Sequence, residues 1–161
     1  MTSDTRHGAA GHVIRRARPE EAGALSELAI RSKGHWGYDA AFLASCRAEL
    51  TFTADDLTSA QTFVVDGPSG PVGFYRLLAR DDGVCELDDL FVDPTAIGSG
   101  VGKRLWAHAV AQAATAGCTE MRIQSDPFAE GFYRAMGARR IGESESGSVP
   151  GRLLPVLRYT L

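Results

Sequence analysis

The stretch Val84-Cys85-Glu86-Leu87-Asp88-Asp89-Leu90-Phe91-Val92-Asp93-Pro94-Thr95-Ala96-Ile97-Gly98-Ser99-Gly100-Val101-Gly102-Lys103 joins a strand to a glycine-rich turn. The apolar, β-favouring run Val84 to Val92 reads as a strand. Leu105, Trp106, Ala109, Val110 and Ala113 then repeat at helical spacing, so a helix runs from about Lys103 to Ala116 and stops at Gly117. Glycines 98, 100 and 102 lie between the two elements. Lacking Cβ atoms, they let the backbone curl and aim several N–H groups at one anion. The helix N-terminus and the Lys103 ammonium add positive potential, which suits a pyrophosphate.

Upstream of this stretch, Thr62–Asp66 and Val72–Arg80 read as strands. The turns Gly67-Pro68-Ser69-Gly70 and Asp81-Asp82-Gly83 join them to each other and to the strand at Val84, which predicts an antiparallel meander. Glu120–Ser125 reads as a strand that follows a helical crossover, so it should run parallel to Val84–Val92. Phe128, Phe132 and Met136, spaced four apart, predict a short helix with a core-facing stripe that Gly137 closes. Strands at about Arg139–Glu143 and Leu153–Thr160 finish the chain.

At the other end, residues 1–11 are expected to form a loose polar tail, and residues 12–161 one domain that opens with a strand at 12–17. Pro19 starts a helix carrying Leu25, Leu28 and Ala29, and Asp39 caps a second with Phe42, Leu43, Cys46 and Leu50. The aromatic loop Gly34-His35-Trp36-Gly37-Tyr38 connects them. The order β-α-α-β-β-β-α-β-α-β-β predicts a single α/β domain, of α+β type, around a mixed central sheet.

Composition narrows the function classes. The chain has 161 residues, 44% of them hydrophobic, and a formal net charge of −3. This balance disfavours nucleic acid as a partner, because phosphate backbones need a basic face. No run of 18 apolar residues exists, so no membrane partner is expected, and the N-terminus carries no apolar signal stretch. A cytoplasmic protein is expected. Cys46, Cys85 and Cys118 form no CxxC pair and are expected to be buried thiols. His7, His12 and His108 show no metal-ligand spacing, so no metal site is expected.

The phosphate ligand is narrowed by context. A Walker loop requires Ser or Thr after Gly-Lys, and here Arg104 follows. A dinucleotide fold places its glycine turn after the first strand of a parallel sheet, whereas this one follows a meander late in the chain.

Three segments together resemble the GNAT superfamily of acyl-CoA-dependent N-acetyltransferases. Glu86-Leu87-Asp88-Asp89-Leu90-Phe91-Val92-Asp93-Pro94 is similar to the family's central strand. Ile97 to Gly102 is similar to its (Gln/Arg)-x-x-Gly-x-(Gly/Ala) loop, with Ile97 in place of the polar residue. Asp126-Pro127-Phe128-Ala129-Glu130-Gly131-Phe132-Tyr133-Arg134-Ala135-Met136-Gly137-Ala138 resembles its Asn-x-x-Ala-x-x-Phe-Tyr segment, with Asp126 in place of Asn.

The resemblance implies acetyl-CoA as cosubstrate and a GNAT-like fold with a bulged, splayed strand at Leu90, Phe91 and Val92. That strand would hold the pantetheine arm, and backbone amides of Gly98, Ser99, Gly100, Val101, Gly102, Lys103 and Arg104 the pyrophosphate. Asp126 would stand at a CoA contact. Tyr133 would protonate the departing thiolate, and the Leu90 N–H would face the thioester carbonyl. Alternation along a strand puts Glu86, Asp88, Leu90 and Val92 on one face and Asp89 on the other. Glu86 is spaced from the loop like the base glutamate of some family members, so the resemblance ranks it first as general base and Asp88 second, against the alternative that both are solvated or paired with arginine.

The resemblance places the loop of Trp36 and Tyr38 at the acceptor pocket; Arg152 is expected to reach an acceptor carboxylate, and His35 is a lesser base candidate. The acceptor is expected to be a primary amine attacked directly, open among a small metabolite, an antibiotic, a peptide N-terminus and a lysine, with a small-molecule amine favoured. The alternative is a non-catalytic acyl-CoA-binding sensor or interaction module. A homodimer through the final strands is a further implication of the resemblance.

Overall fold

The computed structural model describes residues 13–80 and 82–161. The expected N-terminal tail, 1–11, lies outside the described residues. Among the described residues seven strands form one sheet: β1 (Ile14–Arg16), β2 (Gln61–Gly67), β3 (Gly70–Ala79), β4 (Val84–Val92), β5 (Glu120–Gln124), β6 (Arg139–Glu145) and β7 (Leu153–Thr160). Their spatial order is β1-β2-β3-β4-β5-β7-β6. The helices are α1 (Ala22–Gly34), α2 (Ala40–Cys46), α3 (Ala54–Ser59), α4 (Val101–Thr115) and α5 (Glu130–Ala135).

The expected mixed sheet is present. β2, β3 and β4 pair antiparallel, and β4 pairs parallel with β5 across the α4 crossover. Helix α3 was not foreseen. It is six residues long, too short to display a period. Its start is nonetheless written locally: the Thr53 hydroxyl accepts from the Asp56 amide and the Asp56 carboxylate accepts from the Thr53 amide, a capping box built with Asp.

The sheet has a core on each face. Leu77, Leu87, Leu105, Ala109, Met121, Ile123 and Leu157 pack on the α4 side. Leu25, Leu28, Phe52, Leu57, Val64 and Phe74 pack on the α1 side. Gly73 lets α4 lie close against β3. A Cβ there would fall 2.9 Å from both Leu105 and Val101 and 3.3 Å from the Phe91 carbonyl oxygen.

Two features of β4 shape the site. First, β4 pairs with β5 only over Val84↔Glu120, Cys85↔Met121 and Glu86↔Arg122. Beyond Glu86 the strands part, while β5 stays paired with β7 along its length. Among the described residues the outer edge of β4 from Leu87 to Val92 is thereby left without a strand partner. Second, Arg76 pairs with Asp89 and Leu77 with Leu87, so Asp88 is an extra residue, a β-bulge. The bulge reverses the alternation. Cys85 and Leu87 face the α4-side core before it, and Leu90 and Val92 face the same core after it. Phe91 packs on the α1 side. The expectation that Glu86 shares a face with Leu90 is therefore corrected: Glu86 shares its face with Asp89 and Phe91.

The expectation of three thiols is corrected as well. Cys85 and Cys118 form a disulfide, with Cα atoms 6.0 Å apart, and Cys46 alone is a buried free thiol. The crossover brings the two together at the paired end of β4 and β5, where the wedge between the strands closes. A cross-link between residues 33 apart in sequence restricts the unfolded chain by about 3–4 kcal/mol on the loop-entropy estimate. The double variant Cys85→Ala/Cys118→Ala should lose stability on that scale in urea unfolding. A transition midpoint unmoved by the substitutions or by reductant would contradict the cross-link.

Candidate active site

The gap between β4 and β5 opens into a cavity of about 540 Å³ lined by Leu90, Phe91, Val92, Gly98, Gly100, Gly102, Lys103, Asp126 and Tyr133. An adjoining recess of about 420 Å³ is lined by Glu49, Arg76, Glu86, Asp88, Asp89 and Arg122, among others. Glu49, Asp88, Asp89 and Gln124 line both and mark where they meet.

The glycine turn follows from its backbone. Gly98 and Gly100 sit at φ of +84° and +89°, left-handed conformations that favour glycine, with open space where a Cβ would stand. Gly100 caps α4. Among the described residues the amides of Gly100, Val101, Gly102 and Lys103 have no backbone acceptor, as the first turn of a helix requires. The Ser99 amide donates to Ala96 and the Arg104 amide to Gly100, so these two are engaged internally. The free amides and the Lys103 charge suit a pyrophosphate. Ile97, half-exposed, also lines the cavity. The unpartnered edge of β4 offers extended backbone to an amide-bearing chain such as pantetheine, in the manner of an added strand. The residues present therefore fit coenzyme A.

Tyr133, from α5, is 6% exposed. Its ring packs 5.7 Å from Trp106 and 5.2 Å from Phe132. Burial, then the negative charges of Asp89 and Asp126, push its phenol above the ordinary tyrosine value, so it stays protonated at neutral pH. Phe128 was expected in the core stripe of this helix. It is instead 56% exposed, precedes α5, and stacks on Trp36 at 5.6 Å.

The carboxylates of β4 differ in freedom. Glu86 is held by Arg80 at 2.7 Å and lines only the outer recess. Asp89 is held by Arg76 at 2.9 Å, and burial outweighs that cation to push its carboxyl up to about 6. Asp88, on the bulge, has no hydrogen-bond or ion-pair partner among the described residues. Partial desolvation, then the neighbouring Glu86, raises its carboxyl above the ordinary range.

Of the expected acceptor residues, Trp36 lines the cavity. Tyr38 and Arg152 do not face it as free groups: Arg152 donates to the Tyr38 hydroxyl at 2.7 Å, and Tyr38 donates to Asp126 at 3.0 Å. Glu49, Lys33 and Arg76 escaped the sequence reading, because each is a lone charge with no local pattern and acquires its place only through the fold. Among the described residues no group of three or more His, Cys, Asp or Glu could hold a metal ion. No described helix is long and apolar enough to cross a membrane.

The sequence profile of the acetyltransferase (GNAT) family matches residues 14–138, and the chain belongs to that family. It is an acetyltransferase whose acetyl donor is acetyl-CoA. It is similar to the peptidyl-lysine N-acetyltransferase YjaB of Salmonella typhimurium, 36% identical over 149 residues that cover 89% of this chain and 94% of the relative. Its identity to Escherichia coli YjaB is 32% over 154 residues, 89% of this chain and 92% of the relative. The apo-form solution structure of Escherichia coli YjaB superposes with a TM-score of 0.65 at 28% identity, covering 91% and 95% of the two chains. The PaiA N-acetyltransferase of Thermoplasma acidophilum, solved with coenzyme A, shares the fold at a TM-score of 0.77 and 19% identity over 93% and 99%.

Proposed function

We propose that this chain acetylates the ε-amine of a lysine side chain, by direct attack of the amine on acetyl-CoA. The observation that carries the reading is the junction at Asp88, where an unpartnered carboxylate borders both the slot beside β4 and the acid-lined recess. The acceptor assignment is supported by the 36% and 32% identities to proteins named peptidyl-lysine N-acetyltransferase. A lysine ammonium, with an ordinary pKa near ~10.4, is attracted by Glu49, Asp88 and Asp89 and must lose a proton before it attacks.

Acetyl-CoA supplies an acyl group already activated as a thioester. The edge of β4 at Leu90 to Val92 and the free amides at the start of α4 hold the donor. Asp88 takes the proton from the ammonium, directly or through water. The Leu90 amide lies on the strand already paired to β3; its role toward the carbonyl oxygen is assigned by family resemblance. Tyr133 keeps its proton in the resting site and gives it to the departing sulfur.

The expectation of a small free amine shares this chemistry and differs in what surrounds the ammonium. Competition separates the two. A lysine peptide and a small aliphatic diamine are offered together with limiting acetyl-CoA, and the acetylated products are measured. Predominant acetyl-lysine is expected; acetylation confined to the diamine would contradict the lysine assignment.

A further inference from the structure

Asp126 follows β5 at the point where β4 has already turned away. Three donors hydrogen-bond its carboxylate, Lys33 Nζ at 3.1 Å, the Tyr38 hydroxyl at 3.0 Å and the Phe128 amide at 2.8 Å, and the Arg152 guanidinium pairs with it at 3.7 Å. Arg152 and Lys33 also lie over the Tyr38 and Phe42 rings, Arg152 4.8 Å from Phe42 and Lys33 5.4 Å from Tyr38. The charged side chains are nearly enclosed, Lys33 at 14%, Asp126 at 15% and Arg152 at 18% exposure. The donors arrive from α1, from the α1–α2 connection and from the residue preceding β7. One carboxylate thus fastens the helical wall and the β6–β7 connection to the end of β5. Phe128, ordered by the same carboxylate, stacks on Trp36 of the α1–α2 connection at an interplanar angle of 8°. Trp36, Lys33, Phe128 and Asp126 all line the cavity that Asp88 borders.

A carboxylate has about four acceptor positions and, when ionised, no donor. Three protein hydrogen-bond donors and the nearby Arg152 cation already engage Asp126, so little remains for a cosubstrate. We infer that Asp126 is a positioning residue for the acceptor and not a ligand of coenzyme A: it clasps Lys33, Tyr38 and Arg152 so that the Trp36–Phe128 plate stands in the wall of the larger cavity, where the acceptor must meet the donor. The inference rests on the transfer reading above.

Asp126→Asn tests it. Asn keeps an oxygen for Tyr38 and Phe128 and drops the charge that holds Lys33 and Arg152. The acceptor KM should rise about tenfold, with kcat and the acetyl-CoA KM each within about twofold of wild type. Arg152→Gln should reproduce the split, and the double variant should be no worse than the more affected single one. Tyr38→Phe, which removes a single hydroxyl, should show the same direction more weakly and guards against a variant that fails to fold. Backbone hydrogen exchange across 33–39 should quicken in each variant while calorimetric coenzyme A affinity holds. These last two readouts need no acceptor, so they test the clasp even if lysine is not the substrate. A tenfold loss of coenzyme A affinity in Asp126→Asn with the acceptor KM unchanged would make Asp126 a cosubstrate ligand and overturn the inference. Unchanged kinetics and exchange would overturn it equally.

Discussion

Replacing Tyr133 by Phe should lower kcat by at least about 100-fold while leaving the fold and coenzyme A affinity almost untouched. The ring is the structural part of this side chain: it is packed between Trp106 and Phe132, and Phe keeps it. The hydroxyl makes no hydrogen bond among the described residues, so its removal orphans no buried partner and should cost little stability. Its loss is felt only when negative charge develops on the sulfur. Because the phenol is held above its ordinary value, it is a weak acid. It acts by donating as the thiolate departs, not by ionising beforehand. Stopped-flow thiol release and thermal unfolding check the two halves separately. An unchanged rate would remove Tyr133 from the chemistry. A large drop in melting temperature would recast it as a core residue.

Asp88→Asn carries the second large effect, a loss of about 100-fold or more in kcat/KM for the amine near neutral pH. The sign of its pH dependence is fixed by which form works. The base is the carboxylate, so wild-type kcat/KM should fall as acid protonates Asp88, and partial desolvation with the nearby Glu86 places that fall above the ordinary aspartate range. The Asn variant lacks this limb. It should recover activity as pH approaches about 10, where bulk solvent deprotonates lysine without help. Glu86→Gln should cost far less, because Glu86 is tied to Arg80 and lies in the outer recess. If Glu86→Gln proves crippling and Asp88→Asn mild, the roles are reversed.

The contrast between these carboxylates shows where sequence reading stops. The strand at Val84, the glycine turn and the helix behind it are legible because each is written in local residues. The parallel partnership of β4 and β5 follows from the crossover between them. The bulge at Asp88 is not legible by alternation, because the residues on either side keep a strand-like pattern while the backbone slips by one. That slip moved Glu86 off the face of Leu90 and left Asp88 unpaired. The same limit hid the Cys85–Cys118 bond and the clasp on Asp126, whose partners lie 33 and up to 93 residues away. Tyr38 and Arg152 are expected at the acceptor, yet neither lines the cavity or the recess. Only the fold reveals that they bind each other and Asp126.

The most direct test of the central claim is steady-state release of coenzyme A thiol from acetyl-CoA, with and without a lysine peptide, alongside mass spectrometry of the peptide. Transfer through the β4–β5 gap predicts peptide-dependent thiol release matched one for one by acetyl-lysine, and its near abolition in Tyr133→Phe. Tight coenzyme A binding with no peptide-dependent release would contradict it.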